Sequence, residues 1–154
     1  MKILVTGHQG FIGKNLSAYL KNEFEVFGYE WSESEFPSVS EYDWVIHLGA
    51  ISSTTEKDVD KIMRQNYEFS KRLFNECNKH GVNLQYASSA SVYGNNTDFK
   101  ESSPKQPSSP YAWSKYLFDR WVFQQPQDII VQGFRYFNVC LLYTSDAADD
   151  LTRV

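Results

Sequence analysis

The sequence predicts an α/β fold, a doubly wound parallel sheet with helices on both faces. Three observations predict it. A short apolar run, Lys2-Ile3-Leu4-Val5-Thr6, leads directly into a glycine-rich loop. Further short apolar runs alternate with longer segments whose apolar residues recur at helical spacing. Ser- and Pro-rich stretches separate them without any internal repeat. Strands that alternate with helices in this way belong to a parallel sheet covered on both sides.

Each element follows from its own pattern. Residues 3–5 are apolar and the run holds the β-branched Ile3, Val5 and Thr6, as a buried parallel strand requires. Phe11, Ile12, Leu16, Tyr19 and Leu20 fall on one helical stripe. Phe24 to Glu30 reads as a second strand, and Asp43-Trp44-Val45-Ile46-His47-Leu48 as a third, ending at Gly49-Ala50. A long helix is predicted from about Asp58 to Lys79, with Val59, Ile62, Met63, Asn66, Tyr67, Ser70, Leu73, Phe74 and Cys77 on one face. Gly81 supplies its C-terminal cap. Val82 to Ala87 forms the next strand. The turn Gly94-Asn95-Asn96-Thr97 and the stretch 102–110 form a loop region, Pro110 opens a helix running from Tyr111 to about Phe123, and Asp128 to Arg135 is the last strand.

Bulk properties exclude several function classes. The chain has 154 residues, 42% hydrophobic and 22% charged, as in an ordinary soluble domain. Aromatic residues reach 16%, which reads as core packing rather than base stacking. The net charge of −4 lacks the basic footprint of a nucleic-acid binder. The apolar start, Ile3-Leu4-Val5, is too short for a signal-peptide core, and no apolar run reaches membrane-spanning length. A cytoplasmic location is therefore expected. Cys77 and Cys140 offer no disulfide framework, and His8, His47 and His80 lack metal-ligand spacing, so no metal is expected.

Three constellations carry chemistry. The loop Gly7-His8-Gln9-Gly10-Phe11-Ile12-Gly13 joins a strand to a helix. Its glycines permit a tight turn, close approach of backbone to a pyrophosphate, and close helix–strand packing. The helix N-terminus then faces the phosphates with partial positive charge. Gly13-Lys14-Asn15 does not complete the G-x-x-x-x-G-K-[ST] loop of a nucleotide hydrolase. A Rossmann-type dinucleotide site is the expectation. Glu30 ends the second strand, where a carboxylate accepts hydrogen bonds from ribose hydroxyls and repels a 2′-phosphate, so NAD is favoured over NADP.

The second constellation is Tyr111-Ala112-Trp113-Ser114-Lys115. Residues at i and i+4 share a helix face, and an ammonium beside a phenol stabilises its ionised form. Such a tyrosine can take a proton from an alcohol. The third is the hydroxyl-rich end of a strand, Tyr86 to Gly94, where Ser89 can orient a substrate oxygen near Tyr111. Alone, each has a bland reading: a turn, an exposed helical pair, a polar strand end. Their order along one chain is the specific signal.

With these residues, the chain resembles the extended short-chain dehydrogenase/reductases, the NAD-dependent epimerase/dehydratase family. Thr6 to Gly13 looks like the family's cofactor loop, and His47-Leu48-Gly49-Ala50 like its motif beside the cofactor. Ser89, Tyr111 and Lys115 match its catalytic set. Phe134-Arg135-Tyr136-Phe137-Asn138-Val139 looks like its sixth-strand motif, where the Asn helps hold a nucleotide sugar. The stretches 47–56, 86–94 and 133–139 are most similar to ADP-glycero-manno-heptose 6-epimerases, Ser53-Thr54-Thr55-Glu56 above all.

The resemblance implies transient oxidation of a sugar carbon on a nucleotide-sugar substrate. It also implies cofactor contacts from Gly7, Gln9, Gly10, Phe11, Ile12, Gly13, Glu30, Leu48, Gly49, Ala50, Tyr111 and Lys115, substrate contacts from Ser89 and Asn138, and a homo-oligomeric full-length parent. A 4-epimerase or 4,6-dehydratase is the alternative within the family. Dehydratases carry an acidic pair just after the Ser89 position, and here stand Ala90 and Ser91. A non-catalytic dinucleotide sensor is the alternative of another class, and such proteins often lose the Tyr or Lys kept here.

Two departures stand out. Only a short segment separates Glu30 from Asp43, where the family places a helix, a strand and an adenine-contacting acidic residue. The C-terminal substrate domain has no counterpart, so the fold is expected to be truncated and the chain alone inactive. The pattern also breaks after Val139. The bases TGT CTC TTA TAC ACA TCT GAC GCT GCC GAC, a transposase-type sequencing adapter, encode Cys140 through Asp149 in one frame. Residues 1–139 are thus expected to be the incomplete cofactor domain and residues 140–154 a non-native tail. Uninterrupted genomic sequence continuing through Leu141 and Tyr143 is the observation that sinks this expectation.

Overall fold

The computed structural model describes residues 1–53 and 55–139. The expectation for residues 140–154, and Thr54 of the Ser53–Glu56 run, lie outside the described residues. The elements are β1 (Lys2–Thr6), α1 (Phe11–Leu20), β2 (Glu25–Tyr29), β3 (Trp44–His47), α2 (Val59–Ile62), a π-helical turn (Met63–Glu68), α3 (Phe69–His80), β4 (Asn83–Ser89), a 3₁₀ turn (Ala90–Tyr93), α4 (Pro110–Val122) and β5 (Val131–Tyr136).

Five strands form one parallel sheet in the order β2-β1-β3-β4-β5. The chain leaves β1 toward β2 and later returns to β3 on its other side, so β1 lies at the point where the winding reverses. Ligands bind at the carboxyl ends of strands at such a point. Leu4, Val45 and Leu84 pack with Leu73, Phe74 and Cys77 of α3 and with Phe118 and Val122 of α4 in one buried cluster. Strand alternation sends Ile3 and Val5 to the opposite face, where α1 crosses β1 and β2. Helices therefore pack on both faces, α1 over β1 and β2 on one and α3 with α4 on the other, the doubly wound architecture expected.

Two boundaries differ from the sequence reading. The helix predicted over 58–79 is interrupted at 63–68 by the π-helical turn, because Asn66 turns inward to bond other elements. The last strand begins at Val131 rather than Asp128. Asp128 and Ile130 donate their backbone N–H groups to the side chains of Asn78 and Asn83, so the chain joins the ladder only after them. The segment between β2 and β3 contains neither helix nor strand. No helix of the described residues is long and apolar enough to cross a membrane.

Candidate active site

A cleft of about 870 Å³ opens at the carboxyl ends of the strands. Gly7, Gly10, Phe11, Ile12 and Gly13 line it from the loop after β1, and Glu30 from the end of β2. Leu48, Gly49 and Ala50 line it after β3, and Ser89 after β4. Tyr111 and Lys115 reach it from α4, and Asn138 from the chain beyond β5. Of the candidate residues only Gln9 is not part of this lining. Its backbone N–H instead donates to Oε1 of Glu30 at 2.7 Å, tying the loop to the end of β2.

Three glycines serve three purposes. Gly7 has φ +70°, and a Cβ there would stand 2.6 Å from Cα of Gly49. At Gly13 a Cβ would stand 2.1 Å from the Gly7 carbonyl oxygen, so these two positions are closed to any side chain by backbone contact. Gly10 is different: its nearest neighbour would be the Gly7 oxygen at 3.3 Å, and a Cβ there would intrude on the cleft. No side chain caps α1 at Gly10, and its first turn holds no acidic residue. The first N–H groups of a helix have no intrahelical partner, so they remain available to an anion. The cradle fits a dinucleotide pyrophosphate.

Helix α4 begins cleanly because Ser109 Oγ accepts from the Ala112 N–H at 3.1 Å and Pro110 occupies the first turn. That start places Tyr111 half-buried at the cleft and Lys115 one turn deeper, only 5% exposed. Nζ of Lys115 donates to the Ala87 carbonyl at 2.9 Å and lies 6.0 Å from the Tyr111 ring centroid. Burial pushes the lysine down to about 8, and the Asp119 carboxylate opposes that shift. Burial raises Tyr111, and the Ser89 hydroxyl opposes it. The expected lowering of Tyr111 by Lys115 is therefore absent within the chain. The ammonium is aimed at a backbone carbonyl, not at the phenol.

Ser89 accepts two hydrogen bonds from Ser91, 3.1 Å from its backbone N–H and 2.8 Å from its hydroxyl. With its lone pairs so occupied, its own proton is free to be donated into the cleft.

Three groups behind this surface make bonds that the sequence does not report. Asn66 brackets Ile51, accepting from its N–H at 2.8 Å and donating to its carbonyl at 3.0 Å, and reaches Ser114 of α4 at 3.2 Å. His47 touches Thr6 and Ser70. Asp119 accepts from Ser88 at 2.9 Å and lies 3.4 Å from Nε of Arg135. Asn66 was visible, with Ser70, as a polar residue on a mostly apolar stripe. Nothing local marked Asp119.

The description "NAD dependent epimerase/dehydratase family" matches residues 31–153. Among solved structures, an Agrobacterium tumefaciens short-chain dehydrogenase/reductase superfamily protein with bound NAD is similar at 27% identity. It superposes with a TM-score of 0.77 over 88% of this chain and 48% of that one. A Bacillus cereus UDP-glucuronic acid 4-epimerase in complex with NAD is 25% identical, TM-score 0.78, over 90% of this chain and 57% of that one. The Helicobacter pylori ADP-L-glycero-D-manno-heptose-6-epimerase is 24% identical, TM-score 0.78, over 89% and 55%, a likeness of fold. The chain spans about half the length of these structures. With the glycine cradle, the covered parallel sheet and the family match together, the chain belongs to the NAD dependent epimerase/dehydratase family.

Proposed function

We propose that this chain is the cofactor-binding part of an NAD-dependent nucleotide-sugar epimerase that oxidises one sugar carbon transiently and reduces it again on the other face. The observation that carries this reading is a single cleft holding the glycine cradle together with Ser89, Tyr111 and Lys115. When bound, NAD supplies a hydride acceptor and, reduced, the donor. Tyr111 takes the proton of the reacting sugar hydroxyl. Ser89 donates to that same oxygen, because Ser91 occupies its lone pairs. Lys115, held on the Ala87 carbonyl 6.0 Å from the Tyr111 ring, is the residue for the ribose of the nicotinamide nucleoside. Glu30 is placed for the adenosine ribose, which favours NAD over NADP, and Asn138 for the nucleotide sugar.

Ala90 and Ser91, where a dehydratase carries acids, favour epimerisation. The similarity of residues 47–56 and 133–139 to heptose 6-epimerases favours an ADP-heptose substrate. The test uses the complete protein, incubated with ADP- and UDP-sugars while epimerised product is followed. Tyr111→Phe is expected to abolish turnover and leave NAD binding within about twofold. Near-normal turnover in that variant rejects the assignment. Tight NAD binding without conversion of any sugar points to a sensor instead.

A further inference from the structure

We infer that the chain recognises the cofactor's adenine with Trp31 and Gln65, in a small cavity behind Glu30 that replaces a base site between β2 and β3. This rests on the dinucleotide reading above. A dinucleotide laid across the glycine cradle has a direction. Ser89, Tyr111 and Lys115 lie on the β4 side of β1, and Glu30 lies past β2 on the other. With its reacting ring at Tyr111 and its pyrophosphate at the start of α1, the far nucleoside is carried toward β2.

There Glu30, Gly7, Gly49 and Ala50 line both the main cleft and a second cavity of about 220 Å³. That volume equals about seven water molecules at ~30 Å³ each, room for one bicyclic base and little more. The cavity wall is firm on one side. The rings of Phe69 and Tyr29 stack at 6.0 Å, and Phe36 and His47 pack against Phe69. Trp31, half-buried, is the other aromatic wall and separates the cavity from the groove under residues 31–36. A flat indole stacks on any base, and stacking of this kind is sequence-tolerant.

Selectivity for the base therefore needs a polar group. Thr6 Oγ1 is engaged with His47 at 2.6 Å and with the Gly49 N–H at 3.3 Å. Glu30 is an acceptor only, already bonded by Gln9. Gln65 remains. Its amide both donates and accepts, the pattern that pairs with the N6 amino group and N7 of adenine, an edge on which hypoxanthine shows two acceptors. The π-helical turn, Met63–Glu68, allows the arrangement, turning Asn66 toward Ile51 and Ser114 while Gln65 lines the cavity. Because no helix or strand lies between β2 and β3, base recognition falls to this turn of the next helix.

The test uses the whole chain and isothermal titration calorimetry, with NAD and with nicotinamide hypoxanthine dinucleotide, in which a carbonyl replaces the adenine amino group. The wild-type chain is expected to prefer NAD by about fivefold or more. Gln65→Leu is expected to erase that preference. Trp31→Ala is expected to weaken both dinucleotides about tenfold, and Trp31→Phe to restore most of the loss. A preference unchanged in Gln65→Leu, or affinity unchanged in a folded Trp31→Ala, overturns the inference while leaving the dinucleotide reading intact. If Trp31→Ala does not fold, the Gln65→Leu ratio and Trp31→Phe decide it. No NAD binding by the wild-type chain overturns both.

Discussion

His47 ends β3 with both ring nitrogens engaged, Nδ1 2.6 Å from Thr6 Oγ1 and Nε2 2.8 Å from Ser70 Oγ. Burial, and then the nearby Lys115 ammonium, push it down to about 3 from an ordinary 6.5. The folded protein keeps this imidazole neutral, whereas the unfolded chain protonates it below 6.5. Between those values the unfolded state binds more protons, so stability rises with pH through the window and is fully present above it. Acidification from pH 6.5 toward 3 is expected to cost on the order of 5 kcal/mol through this residue. Urea midpoints measured at pH 7 and pH 4 check it. His47→Gln should lower the midpoint at pH 7 and flatten its acid dependence, and an acid slope equal to wild type would refute the assignment. The sequence marks His47 as part of a motif expected beside the cofactor. Its neutrality was not, because burial and the approach of Lys115 are set by residues distant in the chain.

Among the elements, α4 carries the proposed proton-transfer pair, Tyr111 and Lys115, in its first two turns. The start of this helix was readable from Pro110, and Ser109 is the cap that fixes it. Ser109→Ala is expected to cost about 1 kcal/mol, the ordinary value of an N-cap. It should also raise amide hydrogen exchange in residues 110–113 while leaving α3 unchanged. Equal exchange in both helices would argue against a local cap. The preceding helix shows the opposite case. Its helical stripe keeps one spacing from Val59 to Cys77, with only Asn66 and Ser70 polar, so the sequence predicts regular helix throughout. The π-helical turn at 63–68 exists because Asn66 finds partners in Ile51 and Ser114, which no periodicity reports.

At the scale of the molecule, Asn66 joins three parts that bear on the cleft: the chain after β3, the π-helical turn and α4. It is 1% exposed, and its removal leaves the Ile51 N–H and the Ser114 hydroxyl without that partner. Asn66→Ala is expected to destabilise the chain by about 2–4 kcal/mol. Thermal unfolding measures the loss. An effect below about 0.5 kcal/mol would show that the junction is not a structural hub.

The sequence by itself determined the parallel α/β architecture and the glycine loop between β1 and α1, and it offered Ser89, Tyr111 and Lys115 as the candidate set. Strand and helix periods, Gly and Pro punctuation and i,i+4 spacing are local properties, readable along the chain. The tertiary structure alone decided how those residues meet. It aimed Lys115 at the Ala87 carbonyl, tied the Gln9 backbone to Glu30, and opened a cavity between Trp31 and Gln65. Each depends on which strands adjoin and how deeply a group is buried. Such long-range contacts, and the desolvation they impose on Lys115, Tyr111 and His47, arise only when distant segments pack together.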